Sequence, residues 1–356
     1  MIKYLGSKRR LVPALTTLFE ASGARTALDL FTGTTRVAQA FKQAGGEVTA
    51  VDVATYAEVL GQCYVATDAR DVDTQELEAM IEDLQATPPE AGYFTETFCV
   101  ASRFFQPRNG ARIDAIRERI EREYRDSPLF PVLLTSLMVA ADRVDSTTGV
   151  QMAYIKRWAK RAERPLTLEV PALLPGRGIA VRADAREAVK QLGPFDLAYL
   201  DPPYNQHRYF TNYHIWETLV RWDKPEHYGV ACKRIDSRSE ETKSVFNKKR
   251  EMPDALAQVV RDVQADLVVL SYNNEAWVSE AELRGLMAAR GEVVVLAFDS
   301  KRYVGAQIGI HDPAGARVGA VSHLRNLEYI VVAGDHARVE RACAPFAAHR
   351  RPPPSP

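Results

Sequence analysis

The sequence of 356 residues lacks the marks of several large protein classes. It has four cysteines (Cys63, Cys99, Cys232 and Cys343), with no CxxC pair and no cysteine–histidine spacing of a zinc site. We therefore expect neither a disulfide framework nor a metal centre. No apolar run approaches the ~20 residues that span a bilayer, and the polar, basic start lacks the apolar stretch of a signal peptide. We expect a cytoplasmic protein without a membrane segment.

An excess of either charge is also absent, because Lys+Arg and Asp+Glu each total 46. A protein that coats nucleic acid would be basic overall, so any contact with nucleic acid must come from local basic patches. The GxGxxG turn of nicotinamide-dependent dehydrogenases is missing too. That absence argues against a dinucleotide cofactor.

The sequence does contain the alternation of an α/β protein. A strand at 27–31, a helix from Val37 to Phe41 and a strand at 48–52 form a βαβ unit, which implies parallel strands. Further strands are predicted after residue 175, at 179–183, 197–200, 266–271, 293–298 and 327–332. Ligands bind at the carboxyl ends of such strands. We therefore expect Phe31–Gly33, Asp52, Asp184 and Asp201 to meet in one crevice.

Residues 69–175 interrupt this alternation. The spacing of Ile113, Ile116 and Ile120, and that of Leu133 to Ala141, predicts amphipathic helices, and no convincing strand is present. The predicted organisation is a catalytic domain of residues 1–68 and 176–340, a helical insertion at 69–175 and a disordered tail at 341–356. The tail ends in proline-rich sequence that cannot build a core.

The motif Asp201-Pro202-Pro203-Tyr204 directly follows a predicted buried strand. Two prolines fix a bend that holds the aspartate and the first proline carbonyl close together as acceptors. Two acceptors can bind the two N–H donors of an amine and leave its lone pair facing a methyl donor. Tyr204 offers a ring on which a base can stack. The motif therefore predicts methylation of an exocyclic amine, although a plain proline-rich turn is the simpler alternative.

The segment from Asp29 to Thr35 places Gly33 in a tight turn between a strand and a helix, where a ligand can approach the backbone. Asp52, about twenty residues later, is placed to bind ribose hydroxyls. S-adenosylmethionine has a ribose and no phosphates, so it fits this turn better than a dinucleotide. An ordinary βα turn is the alternative.

Taken with Tyr4-Leu5-Gly6-Ser7-Lys8, these motifs resemble those of the D12-class, Dam-like DNA adenine methyltransferases of the α group. The order of N-terminal motif, cofactor loop, insertion and catalytic motif is that of the α group. The segments 205–217, 142–149 and 271–275 are similar to a restriction-modification subset. One departure is Thr35, which stands where many relatives have a second glycine.

The resemblance implies a Rossmann-like, S-adenosylmethionine-dependent methyltransferase sheet with a helical insertion, acting on N6 of a flipped adenine in double-stranded DNA. The catalytic residues would be Asp201, Pro202, Pro203 and Tyr204. The cofactor would be bound by Tyr4, Lys8, Asp29, Phe31, Gly33, Thr34, Asp52, Asp184 and Asp201.

Two basic regions are candidates for neutralising DNA phosphates. The first is a stretch predicted to be helical, with Lys156, Arg157, Lys160, Arg161 and Arg164. The second follows the catalytic motif and includes Asn205, Arg208, Tyr209, Lys248, Lys249 and Arg250. A solvated helix or loop face is the alternative for each. The sequence predicts no recognised DNA site and no oligomeric state.

Other functions stay open at this point. N4-cytosine methylation uses the same amine geometry, and the aspartate at position 201 favours adenine. An RNA or protein-amide substrate and a catalytically inactive DNA-binding module are further alternatives. A restriction endonuclease partner is also open, and because no nuclease domain is evident, any cutting would fall to a separate chain.

Overall fold

The computed structural model describes residues 2–4, 6, 8–154, 157–206, 208–301 and 325–352. Its strands are β1 (Thr26–Leu30), β2 (Glu47–Asp52), β3 (Gly178–Arg182), β4 (Phe195–Leu200), β5 (His227–Tyr228), β6 (Lys233–Arg234), β7 (Ala265–Asn273), β8 (Glu292–Lys301) and β9 (Arg325–Gly334). Its α-helices are α1 (Val12–Ser22), α2 (Arg36–Gln43), α3 (Thr55–Gly61), α4 (Thr74–Gln85), α5 (Tyr93–Thr95), α6 (Pro107–Tyr124), α7 (Phe130–Arg143), α8 (Ala185–Gln191), α9 (Tyr209–Asn212), α10 (His214–Arg221), α11 (Met252–Asp262), α12 (Glu280–Met287) and α13 (His336–Cys343). Two π-helical turns, Gln62–Ala66 and Glu96–Ala101, continue α3 and α5.

One sheet of seven strands, in the order β3-β2-β1-β4-β7-β9-β8, organises the described part of the chain. The five strands from β3 to β7 are parallel, and β9 runs antiparallel to both of its neighbours. The strands predicted from the sequence are all present, and the α/β, Rossmann-like architecture is confirmed.

The central strands are buried on both faces, as parallel strands in α/β proteins usually are. In β1, residues 27–30 are all buried. One face of the sheet packs against α8, α11 and α12, and the other packs against α1, α2 and α13. The continuous apolar runs of the sequence follow from this double coverage.

The strand order reverses direction between β1 and β4. From β1 the chain proceeds outward through β2 to β3, returns to β4 on the other side of β1, and continues to β7. At such a reversal the loops leave adjacent strands in opposite directions and open a crevice at the carboxyl edge of the sheet. The fold therefore places a ligand site beside the loops that follow β1 and β4.

The helical insertion does not pack alone. A third apolar core joins α3, α4, α6 and α7 with α10, which follows the catalytic motif in sequence. The Arg117 side chain on α6 ties the two regions together, since Nε donates to the Leu219 carbonyl at 2.8 Å and Nη2 donates to the Val220 carbonyl at 3.1 Å. Part of the predicted 176–340 segment thus belongs structurally with the insertion.

Two predictions of local structure are wrong. The basic stretch is not an α-helix, because its described part is irregular apart from one 3-10 turn at Lys160–Glu163. The tail is not disordered from residue 341, because α13 and a 3-10 helix at Ala344–His349 continue the fold, with Cys343 and Phe346 buried. Residues 353–356 lie outside the described residues.

Candidate active site

The carboxyl ends of the parallel strands meet in one crevice, as predicted. A cavity of about 270 Å³ is bordered by Phe31 after β1, Asp52 at the end of β2, Asp184 after β3 and Asp201 after β4. A smaller cavity of about 30 Å³ adjoins it and is bordered by Gly33 among others. The two cavities share Tyr4, Gly6, Phe31 and Asp201.

The loop after β1 is fixed by two carboxylates. Asp52 accepts hydrogen bonds from the backbone N–H groups of Gly33 at 2.9 Å and Ala54 at 3.0 Å. Asp29, at 1% exposure, accepts from the Thr32 hydroxyl at 2.7 Å and the Ala38 N–H at 3.0 Å. Burial raises the pKa of Asp29 to about 7, so this carboxyl is not fully ionised at neutral pH. Asp29 borders the smaller cavity, and its Oδ2 atom accepts both of these hydrogen bonds from the loop.

Two residues of this loop have unusual backbone angles. Phe31 has a φ of 74°, which turns the chain sharply at the end of β1. Thr35 has a φ of 62° and a ψ of 14°, the left-handed conformation that glycine adopts most readily. The departure from the family's second glycine therefore falls at a strained position. Thr34 is buried and borders the smaller cavity.

The catalytic motif begins directly after β4. The Lys8 ammonium lies 2.9 Å from Oδ1 of Asp201, and the Ser271 hydroxyl donates to the same oxygen at 3.3 Å. Burial raises the pKa of the Asp201 carboxyl, and Lys8 opposes that rise. Burial alone would lower the pKa of Lys8, but Asp201, together with Tyr204, Tyr199 and Glu328, more than offsets it, so the pKa is raised. Lys8 is therefore a protonated ammonium group in direct contact with the Asp201 carboxyl.

The other members of the motif flank this ion pair. Pro202 is buried, and Pro203 borders the larger cavity. The half-buried Tyr204 ring lies 5.3 Å from the ring of Tyr272, and Lys8 Nζ lies 5.3 Å from the centre of the Tyr204 ring. An aromatic ring and a carboxylate therefore stand side by side at the edge of the crevice.

The N-terminal motif lies across the crevice. Tyr4 stacks on Tyr213 at 4.6 Å and on Tyr209 at 5.2 Å between ring centres. A Cβ added to Gly33 would come within 3.1 Å of the Tyr4 ring, so a side chain there would push the motif away. The motif is anchored by Lys3, whose ammonium lies 3.2 Å from Asp145 of the insertion.

The predicted DNA contacts are not alike. Arg157, Lys160, Arg208 and Lys249 are exposed, and Lys248 is exposed beside Glu251 at 3.4 Å. Arg161 instead turns inward, where Nε lies 2.7 Å from Asp145 and Nη2 donates to the Thr147 carbonyl at 2.6 Å. Tyr209 is in the aromatic stack and borders the larger cavity, and the Asn205 carbonyl accepts from Asn247 at 2.9 Å. Lys156 lies outside the described residues.

Several residues at the site were not found from the sequence. Glu217 on α10 accepts from the hydroxyl of Thr55 at 2.6 Å and from its N–H at 3.1 Å, which caps α3 beside Asp52. Phe246 packs edge-on against Phe31, with 4.9 Å between ring centres, and together with residues 241–244 and Asn247 it forms a wall of the larger cavity. Arg36 borders the smaller cavity. Glu217 could have been predicted as a polar residue on an otherwise apolar helix face. No sequence motif indicated Phe246 or Arg36.

Neither a metal site nor a membrane-spanning helix is found among the described residues. No group of three or more His, Cys, Asp or Glu side chains in that part of the chain could hold a metal ion. Nor does it contain a helix with the length and apolar character needed to cross a membrane.

Comparison with known proteins gives one consistent result. Residues 4–286 match the family of D12 class N6 adenine-specific DNA methyltransferases. The type II methyltransferase M.NlaIII of Neisseria lactamica is 31% identical over 318 residues, covering 85% of this chain and 92% of that protein. The type II methyltransferase M.CviAII of Paramecium bursaria Chlorella virus 1 is 29% identical over 318 residues, with the same shares of 85% and 92%. The modification methylase StsI of Streptococcus sanguinis is 27% identical over 304 residues, covering 80% of this chain and 46% of that protein.

Proposed function

This chain belongs to the D12 class of N6 adenine-specific DNA methyltransferases, and we propose that Asp201, Pro202, Pro203 and Tyr204 are its catalytic residues. The observation that carries the proposal is the carboxylate of Asp201, which borders both cavities and shares Lys8 with the Tyr204 ring. The enzyme transfers a methyl group from S-adenosylmethionine to N6 of adenine in DNA.

The residues present fit this cofactor. The larger cavity has room for an adenosine, and two carboxylates, Asp52 and Asp184, border it as acceptors for donor groups. The absence of a side chain at Gly33 lets Tyr4 close over the loop. S-adenosylmethionine supplies the methyl group as an electrophilic carbon on a sulfonium. Tyr4, Phe31, Gly33, Thr34, Asp52 and Asp184 would hold it, while Asp29 would act through the loop that it fixes.

The chemistry then depends on placing the target amine. Asp201 and the Pro202 carbonyl accept hydrogen bonds from the two N–H groups of the amine. The lone pair of the nitrogen is then directed away from these two acceptors. The base reaches the site only after it leaves the helix, which costs a few kcal/mol. Tyr204 stabilises the flipped base by stacking. Lys8 holds the Asp201 carboxyl in place at 2.9 Å and opposes the rise in its pKa that burial causes. Orientation of the amine against the methyl donor would supply much of the rate.

The partner of this activity is duplex DNA, and exposed basic residues after the catalytic motif and in the insertion would neutralise its phosphates. Arg157, Lys160, Arg208, Lys248 and Lys249 are the candidates for this role. M.NlaIII and M.CviAII are type II methyltransferases, so the proposal includes a restriction endonuclease, on a separate chain, that recognises the same DNA site. It also includes a cytoplasmic location for the enzyme.

The test is expression in a host that lacks DNA methylation, followed by mass spectrometry of nucleosides from the genomic DNA. We expect N6-methyladenine with the wild type and none with Asp201→Ala, whose melting temperature is measured because the variant leaves Lys8 buried without its partner. Asp266→Asn is the matched control. It alters an exposed carboxylate near the start of β7, 2.8 Å from Arg338, and should keep full activity. Methylation by a folded Asp201→Ala variant would refute the catalytic assignment, and N4-methylcytosine would refute the choice of base.

A further inference from the structure

Arg36 is the first residue of α2 and borders the smaller cavity together with Lys8, Gly33 and Thr34. Its Nε atom is buried and has no hydrogen-bond partner among the described residues. A buried donor without an acceptor is costly, and guanidinium groups in folded proteins almost always have one. The group is therefore placed as if to receive an acceptor from the cavity.

The charges around the cavity also favour an anion. Lys8 is already paired with Asp201 at 2.9 Å. The nearest other carboxyl on the cavity wall, Asp29, is hydrogen-bonded to its own loop, and burial raises its pKa to about 7. Burial, and then the positive charge of Arg9, lower the pKa of Arg36, and no carboxylate of the described residues forms an ion pair with it.

The position on α2 adds to this field. The amino end of a helix carries a partial positive charge, which favours an anion close to its first turn. Arg36 stands at that end and borders the cavity, and Thr35 before it adopts the left-handed conformation. The helix end and the guanidinium thus act on the same small space.

We propose that Arg36 binds the α-carboxylate at the methionyl end of S-adenosylmethionine. The proposal rests on the cofactor assigned above. The smaller cavity, about 30 Å³, suits a carboxylate, and it shares Tyr4, Gly6, Phe31 and Asp201 as lining residues with the larger cavity of about 270 Å³. A ligand with its adenosine in the larger cavity and its amino-acid end in the smaller one passes Asp201 between them. That is where the methyl group must be.

A phosphate of the DNA backbone is the competing partner for Arg36. Three features favour the cofactor: the cavity is small, it shares four lining residues with the adenosine-sized space, and the atom without a partner among the described residues is the buried Nε. A backbone phosphate would be expected to meet the exposed part of the guanidinium instead.

The test compares two ligands by calorimetry, and it needs no turnover. S-adenosylhomocysteine has the amino-acid end, whereas 5′-deoxy-5′-methylthioadenosine keeps the adenosine and sulfur without it. We expect Arg36→Met to weaken binding of the first ligand by roughly 10- to 100-fold, as for a lost charge-assisted hydrogen bond. Binding of the second ligand should change less than about 3-fold on the same scale.

Two further variants control the result. Arg36→Lys keeps the charge and should recover part of the lost affinity for S-adenosylhomocysteine, and it stands in if Arg36→Met does not fold. Arg10→Met removes an exposed arginine close in sequence to Lys8 and should alter neither affinity.

Each other outcome overturns the inference. Equal weakening of both ligands would mean that Arg36 only supports the loop. Unchanged binding of S-adenosylhomocysteine with weaker DNA binding would assign Arg36 to a phosphate. If the wild type itself binds neither ligand, the cofactor assignment is wrong, and that result is distinct from a failure at Arg36.

Discussion

The crevice at the strand ends and the basic segment 157–164 use their charges in opposite ways. In the crevice, Lys8 and Asp201 face each other at 2.9 Å, with side-chain exposures of 8% and 19%. In the basic segment, Arg157 and Lys160 extend into solvent, while Arg161 holds Asp145 of the insertion. The first region is organised before any ligand arrives, and the second is divided between a scaffold and an open surface.

The difference follows from where each region stands in the fold. The carboxyl ends of parallel strands lie at the same edge of the sheet, and the hydrogen bonds between the strands fix their register. Side chains at those ends are therefore held at fixed distances from one another. The basic segment has no regular structure beyond one 3-10 turn, so each of its side chains finds its own partner or none. The effect of removing one charge on activity or stability should accordingly be large in the crevice and small on the surface.

The largest expected effect is that of Lys8→Met on the pH dependence of catalysis. Burial raises the pKa of Asp201 and Lys8 opposes that rise, so removal of Lys8 should raise the pKa further. A protonated Asp201 is a weaker hydrogen-bond acceptor for the amine than the carboxylate, so the acid limb of kcat/KM should move to higher pH. We expect activity at neutral pH to fall by at least about 100-fold, the scale of a lost acid–base group.

Methyl transfer to DNA, followed with radiolabelled cofactor across the pH range, measures this shift. Lys8→Arg is the matched variant, because it keeps the positive charge and should leave the acid limb where it is. A limb that stays in place in Lys8→Met would show that the ion pair has no part in setting the ionisation of Asp201.

The next comparison sets Arg161→Met against Lys160→Met, two neighbouring cations with different contacts. Arg161 holds Asp145 and the Thr147 carbonyl, so its loss should destabilise the fold by about 1–3 kcal/mol and leave DNA binding little changed. Lys160 is exposed, so its loss should leave stability unchanged and weaken DNA binding. The slope of log affinity against log salt should then fall by about 0.9 if one phosphate contact is lost.

Urea unfolding and DNA binding at several salt concentrations separate the two roles. The same result for both variants would remove the distinction between scaffold and surface within this segment. A lower salt slope for Arg161→Met alone would mean that the inward contacts exchange for DNA when it binds.

The sequence was sufficient where function depends on neighbours along the chain. The strand before Asp201, the turn around Gly33 and the acid that ends β2 all follow from local patterns, and the sheet then brings them together. Periodicity also located the long helices of the insertion. α6 buries one face, as an amphipathic helix does, whereas α7 is buried on all sides from Val132 to Asp142.

The sequence was not sufficient where partners lie far apart in the chain. The pairing of Lys8 with Asp201, the capping of α3 by Glu217 and the inward turn of Arg161 each depend on tertiary packing. A dense run of basic residues carries no periodicity that distinguishes a helix from a loop, which is why the stretch around Lys160 was predicted wrongly. The helical fold of 341–349 depends on the burial of Phe346 against the sheet, which the proline-rich end concealed.

The smallest expected effect concerns Thr35, where the crevice itself contains strain. An L-residue in the left-handed conformation costs roughly 1–2 kcal/mol, and Thr35 adopts it at the N-cap of α2. Its hydroxyl donates to the Thr34 carbonyl and accepts from Gln39, both at 2.7 Å. Thr35→Ala loses these bonds and keeps the strain, whereas Thr35→Gly loses them and relieves it. We expect the glycine variant to be more stable than the alanine variant by about 1 kcal/mol.

Urea unfolding of both variants and the wild type measures the difference. Because relief of strain and loss of the hydroxyl bonds oppose each other, Thr35→Gly should lie within about 1 kcal/mol of the wild type. Equal stability of the glycine and alanine variants would mean that the loop relaxes when the hydroxyl is gone. In that case the hydroxyl bonds of Thr35, rather than the packing around Gly33, hold the backbone that shapes the smaller cavity.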